Sequence, residues 1–133
     1  MALNPKTAVA RRNAMLDNCL GALDGGFLDI YDGTQPVDAD TPINAQVKLA
    51  RLTFGTPAFD PAANGSASAK SIASDISADA TGTATWFRCL KTNGTSVFDG
   101  SVGTSGANLN LNSVIISAGA LVSCSSFVVT QAP

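Results

Sequence analysis

Near the start of the chain, apolar residues recur every three or four positions, at Ala8, Met15, Leu16, Cys19, Leu20 and Leu23. That spacing predicts one amphipathic helix over residues 4–24. Asn4 is placed to cap it, and Pro5 suits the first helical position, where a missing N–H costs nothing. Gly25-Gly26 supplies the stop. Arg11, Arg12, Asn13, Asp17 and Asn18 fall mostly off the stripe. The stripe needs cover, and ordinary domain packing assigns it to the chain's own sheet.

Beyond the glycines the texture becomes that of strands. Phe27–Tyr31 is a short apolar run ending at the turn signal Asp32-Gly33. Residues 35–44 hold Pro36, Asp38, Asp40 and Pro42 and read as a loop. A strand over Gln46–Phe54 has Ala50, Leu52 and Phe54 on one face and Val47 and Leu49 on the other, which suits a central position. Asn64-Gly65 marks a turn. Thr83–Leu90 and Ser96–Val102 form a hairpin across Asn93-Gly94, and Val114–Ser117 with Leu121–Thr130 forms a last hairpin. In that final strand both faces are mixed, so partial cover is expected on each. The prediction is a mainly β fold, an antiparallel β-sandwich or barrel-like sheet with one N-terminal α-helix. An arm and helix occupy residues 1–26, and the β domain occupies 27–133 as one globular unit.

Composition narrows what such a fold does. All ten acidic residues are Asp, against eight Lys and Arg, for a net charge of -2. No basic footprint for nucleic acid and no polybasic patch for a membrane surface is present in the sequence. After Lys91 the ionisable side chains are Asp99 and Cys124 alone, in a stretch rich in Ser, Thr, Asn and Gly. Such a surface accepts close protein contact without charge repulsion, and regular assembly would cover its exposed edges. Cys19, Cys89 and Cys124 share no C-x-x-C spacing and read as buried thiols. The first residues lack the apolar run of a signal peptide, and no segment approaches the ~20 apolar residues of a membrane helix. A reducing cytosol is therefore expected, with Asn64 and Asn93 in turns rather than glycosylated.

The absence of histidine removes the commonest general base and metal ligand together, so no enzyme and no cofactor are expected. Asp38 and Asp40 are the nearest carboxylate pair, but V-D-A-D-T-P lacks the glycine and distal acid of a calcium loop. A solvated loop is the expectation there. Asp29, Asp32 and Asp99 lie near strand ends and would make an oxygen-lined cation or sugar site only if those ends converge. Trp86 and Phe87 point to opposite faces of a strand, so one is core. The other, with Arg88 beside it, is a candidate partner contact, because aromatics and Arg are enriched at interfaces. Arg11 and Arg12 on the helix complete the candidate interface set, and no catalytic, metal or cofactor residues are assigned.

L-D-I-Y-D-G-T-Q-P at 28–36, L-A-R-L-T-F at 49–54, A-D-A-T-G-T-A-T-W-F-R at 78–88 and F-D-G-S-V-G-T-S-G-A-N-L-N-L-N at 98–112 resemble a family of small tailed-bacteriophage and prophage proteins. The resemblance covers nearly the whole chain. It implies a virion structural protein assembled in the host cytoplasm, with the major capsid protein or other virion proteins as partners and a homo-oligomer, trimer or dimer, as the working form. A head decoration (cement) protein is the first expectation. The alternatives are a tail, neck or baseplate component, or a β module that binds a glycan or receptor.

Overall fold

The computed structural model describes residues 4–131. One helix, α1 (Val9–Gly21), precedes ten strands: β1 (Phe27–Tyr31), β2 (Lys48–Phe54), β3 (Ser66–Ser68), β4 (Ile72–Ala73), β5 (Gly82–Thr83), β6 (Trp86–Leu90), β7 (Ser96–Gly103), β8 (Leu109–Leu111), β9 (Ile115–Ile116) and β10 (Cys124–Thr130). Eight strands form a sheet in the order β3-β10-β8-β7-β6-β1-β2-β4, and β5 pairs with β9 beside it. The mainly β fold with one N-terminal helix is therefore as expected from the sequence.

The two ends of that order are neighbours in the chain. β3 hydrogen-bonds to β10 while β4, four residues on, hydrogen-bonds to β2. Residues 66–73 thus act as a seam that brings the sheet round on itself, and Ala69 N–H extends the β10 pairing by donating to the Phe127 carbonyl at 2.9 Å. Curling in this way leaves only the three-residue β3 and two-residue β4 as the outer strands of the sheet, which limits the exposed edge that is the hazard of uncharged strands.

Inside the curl lies a single apolar cluster. Leu28 and Ile30 of β1, Leu52 and Phe54 of β2, Phe87 and Cys89 of β6, Leu109 and Leu111 of β8 and Phe127 of β10 belong to it. Phe127 sits edge-on to Phe87 and Phe59 at centroid distances of 5.1 and 5.4 Å, arrangements that aromatic quadrupoles favour. Leu16, Leu20 and Leu23 join the same cluster from the helix side. Burying each contributes about 1.5–3 kcal/mol, enough to hold a thirteen-residue helix that would be marginal alone.

Side chains flanking the apolar stripe fasten α1 to the ribbon at 58–65. Asn13 Oδ1 accepts from Gly65 N–H at 2.9 Å, Asp17 Oδ1 from Ala62 N–H at 2.9 Å, and Asp24 Oδ1 from Ala58 N–H at 2.8 Å. A spacing of four puts Asn13 and Asp17 in one row beside the stripe, and Asp24 extends the contact from the turn after the helix. The ribbon turns at Asn64-Gly65, where both residues have positive φ (52° and 75°), the signature of a tight hairpin turn.

Several expectations are corrected. The helix starts at Val9 rather than Asn4, with Ala8 in the cap position and no side-chain cap. Residues 4–8 present no buried apolar face, and packing rather than capping decides where a short helix begins. Thr83–Leu90 is interrupted at Ala84-Thr85, because Ala84 N–H bonds to Val114 and Thr85 N–H to Tyr31. No terminal hairpin forms. β9 pairs with β5, and β10 lies between β8 and β3. The intervening residues instead pair with 75–78, which buries Val122 at 1% exposure. β7 and β8 run parallel, Val102 opposite Leu109, so the sheet is not wholly antiparallel. β10 buries only Phe127, and Val128 stays open to solvent.

Candidate functional site

Strand alternation sends Leu28 and Ile30 into the core and leaves Phe27, Asp29 and Tyr31 on the outer face of β1. Antiparallel register then builds three rungs on that face. Asp29 stands between Arg51 of β2 and Arg88 of β6, and Arg88 stands opposite Asp99 of β7. The middle rung therefore reads Arg51, Asp29, Arg88, Asp99, with charge alternating across four strands. Above it, Lys48, Tyr31, Trp86 and Ser101 are aligned. A slip in register between Ile30 and Tyr31 brings Lys48 opposite Tyr31.

The charges are tightly fixed. Arg51 donates from Nε to Asp29 Oδ1 at 2.7 Å and from Nη2 to Oδ2 at 2.9 Å. Arg88 repeats the bidentate geometry on Asp99 at 2.7 and 2.9 Å and also reaches the Asp38 carbonyl at 3.3 Å. Asp29 holds the Arg51 guanidinium above its ordinary pKa and Asp99 does so for Arg88, each mainly through its hydrogen bonds. Rings support both cations, Phe27 lying 4.4 Å beneath Arg51 and Trp86 5.4 Å from Arg88. Tyr31 stacks on Trp86 at 4.6 Å and 14°.

Residues 32–47 fold over this face. Asp38 Oδ1 accepts from Asp40 N–H, Thr41 N–H and Thr41 Oγ1, which shapes the loop tip. Trp86 Nε1 donates to the Asp32 carbonyl at 2.9 Å, Thr85 Oγ1 to the Gly33 carbonyl at 2.6 Å and Ser96 Oγ to the Ala39 carbonyl at 2.7 Å. Between loop and sheet lies an open groove of about 560 Å³. Tyr31, Lys48, Arg51, Asp40, Thr41 and Gln46 supply its polar lining, and Ile43 and Leu90 its apolar part. Tyr31, 7% exposed, is one of the residues that line it. Burial raises the pKa of this phenol, and the charge of Asp29 adds to the effect.

The residues singled out from the sequence fall in different places. Trp86 and Arg88, expected at a partner contact, are 1% and 6% exposed and are covered by the chain's own loop. Phe87 belongs to the core cluster, as expected of one of the two, and Trp86 is buried as well, on the opposite face of the strand. Arg11 is exposed on α1 beside Met15, whereas Arg12 lies against Gly65 with its Nε buried. Asp29 and Asp99 share a rung, but each is occupied by an arginine, and Asp32 accepts from Val47 N–H instead. No group of three or more Cys or Asp able to hold a metal ion occurs among the described residues. Tyr31, Lys48 and Arg51 were not singled out beforehand. A strand carrying Phe27, Asp29 and Tyr31 at alternate positions was the signal available.

A second surface follows the paired segments 75–83 and 115–122. Asp75 bridges Val122, Gly82 pairs with Ile116 and Thr83 with Ile115. Along this seam Ile76, Ile115 and Leu121 are 82%, 69% and 55% exposed. Asp75 and Asp79 are its charged residues, and Asp75 is engaged by the Arg51 and Ser77 N–H groups. Comparison with protein-family models, with curated proteins and with solved structures finds no match to this chain.

Proposed function

We propose that this chain is a structural protein of a tailed-bacteriophage virion, acting as a head decoration (cement) protein that binds the major capsid protein and braces the shell. The observation that carries the reading is the seam bearing Ile76, Ile115 and Leu121. Three large apolar side chains, more than half exposed along one nearly uncharged pairing, suit burial against protein. The family resemblance of the segments at 28–36, 49–54, 78–88 and 98–112 names the kind of partner. A trimer or dimer of the chain would present several seams to the capsid at once and gain by multivalency.

Particle composition tests this. The protein is expected in purified virions at a copy number comparable to that of the capsomers, and a variant with Ile76, Ile115 and Leu121 all changed to Ser is expected to fold normally and be missing from particles. Absence of the parent protein from virions, or undiminished incorporation of the variant, would overturn the reading. Presence at only a few copies per particle would move it to the tail, neck or baseplate. A glycan- or receptor-binding module is the second reading, with the open groove under the 32–47 loop as its candidate site.

A further inference from the structure

We propose that the gap between β7 and β10, beyond the point where β8 begins, accepts an extended segment of a partner chain as an added strand, one aliphatic side chain of which seats on Phe87, Phe98 and Phe127. The proposal does not rest on the reading above, whose seam lies on segments 75–83 and 115–122.

The gap follows from the shortness of β8. Three residues, Leu109–Leu111, are all that separate β7 from β10, which are longer strands of eight and seven. Val102 N–H donates to the Thr85 carbonyl at 3.2 Å, so alternate residues of β7, Phe98, Gly100 and Val102, direct their backbone groups toward β6. Asp99 and Ser101 direct theirs the other way. Ser101 is provided for, since its N–H donates to Asn108 Oδ1 at 3.2 Å. Asp99 has no strand beside it on that side among the described residues, because β7 meets β8 only from Val102 onward.

The facing strand is left open in the same way. The Phe127 carbonyl accepts from Ala69 N–H at 2.9 Å and Gln131 N–H donates to the Gly65 carbonyl at 2.7 Å, which turns the backbone groups of Phe127, Val129 and Gln131 toward β3. Val128 and Thr130 therefore present theirs to the gap, where β8 has already ended opposite Phe127. Two antiparallel edges look at each other across a missing strand, and such edges are filled by an extended backbone.

The inner wall sets what that strand carries. Phe87 and Phe127 belong to the core cluster, Phe98 packs against it, and Phe98 lies 6.2 Å from Phe127. These rings line a cavity of about 160 Å³, room for a single aliphatic side chain. Small-molecule sites occupy roughly 300–1,000 Å³, so the space suits an anchor on a strand rather than a free ligand. The one charged residue in the lining, Asp99, has its carboxylate held by Arg88, so no free charge selects an ion. Val128 is 44% exposed and Thr130 is exposed, which leaves the rim accessible from solvent.

The test is amide hydrogen exchange of the purified protein with the uncharged peptide acetyl-Thr-Thr-Leu-Thr-Thr-amide as probe. A short peptide of this kind is expected to bind with a Kd of about 1 mM, so about 10 mM should slow exchange at Asp99 and Thr130 about tenfold. The same peptide with its central Leu replaced by Asp, or N-methylated at its central amides, should give no slowing. Thr130→Pro removes a donor that faces the gap and leaves the β3 ladder to Val129 and Gln131, and it should abolish the slowing at Asp99. If that variant disturbs the β3 pairing, the two modified peptides still decide the matter. No slowing with the parent peptide, equal slowing with the N-methylated one, or slowing confined to residues outside β7 and β10 would each overturn the proposal. Protection that grows with protein concentration and not with peptide would assign the gap to a second copy of this chain and overturn it as well.

Discussion

Gly100 offers the sharpest probe of the curled core. It lies on β7 directly opposite Phe87 of β6, and its backbone is in an ordinary conformation, so only space forbids a side chain. A Cβ at this position would stand 2.6 Å from two atoms of the Phe87 ring and 3.1 Å from Asn108 Oδ1. Ordinary contact begins about 0.8 Å further out, so the ring or the strand must move by nearly that much. Phe87 is fully buried and is held edge-on by Phe98 at 5.9 Å and Phe127 at 5.1 Å, which restrains the ring on two sides. Gly100→Ala is therefore expected to cost about 2–3 kcal/mol, the upper part of the range for overpacking. For a chain of this length that lowers Tm by about 10 °C. Urea unfolding should show a lower midpoint with an unchanged slope. In the Phe87→Leu background the contacted ring atoms are gone, and the same change should cost at least about 1 kcal/mol less. Parent-like stability in Gly100→Ala, or additivity of the two changes, would refute the steric argument.

Three other outcomes are expected. Asp99→Ala leaves the Arg88 guanidinium, whose side chain is 7% exposed, without its bidentate partner, and should cost about 3–5 kcal/mol in urea unfolding, against far less for a paired replacement by Met and Leu. Burial raises the Cys89 thiol well above its ordinary value of 9.0, so alkylation at pH 8 should spare it in the native protein. The folded state keeps a proton that the unfolded chain releases above pH 9, so the thiol's contribution to stability is intact below that pH and falls as pH rises toward the folded value; unfolding at pH 8 and pH 10 checks the sign.

Legibility in the sequence followed the range of the interactions. Phe27–Tyr31, the 35–44 loop and the β6–β7 hairpin at Asn93-Gly94 are set by local alternation and turn chemistry, and Gly94 adopts the positive φ that the turn requires. β4, β5 and β9 have two residues each, too few to show any period. Their positions depend on partners far away in sequence, as Gly82 depends on Ile116. The groove was half visible. Alternation aligned Asp29 with Tyr31, but bringing Arg51 and Lys48 beside them depends on a register set across a sixteen-residue connection, residues 32–47, and on a bulge. Trp86 and Arg88 looked like partner contacts because nothing local announces that the loop at 32–47 will close over them.

The seam at 66–73 also dictates the order in which the chain can be completed during synthesis. Ser66 must wait for Thr130, its partner sixty-four residues later, and until then β8 lacks its neighbour as well. A ribosome making residues at about 5–20 per second leaves the nascent sheet open for several seconds, with β3 and β8 the last edges to be covered. A product cut short before β10 would carry the same two open edges permanently and present itself to proteases and chaperones as an unclosed sheet rather than as a smaller domain.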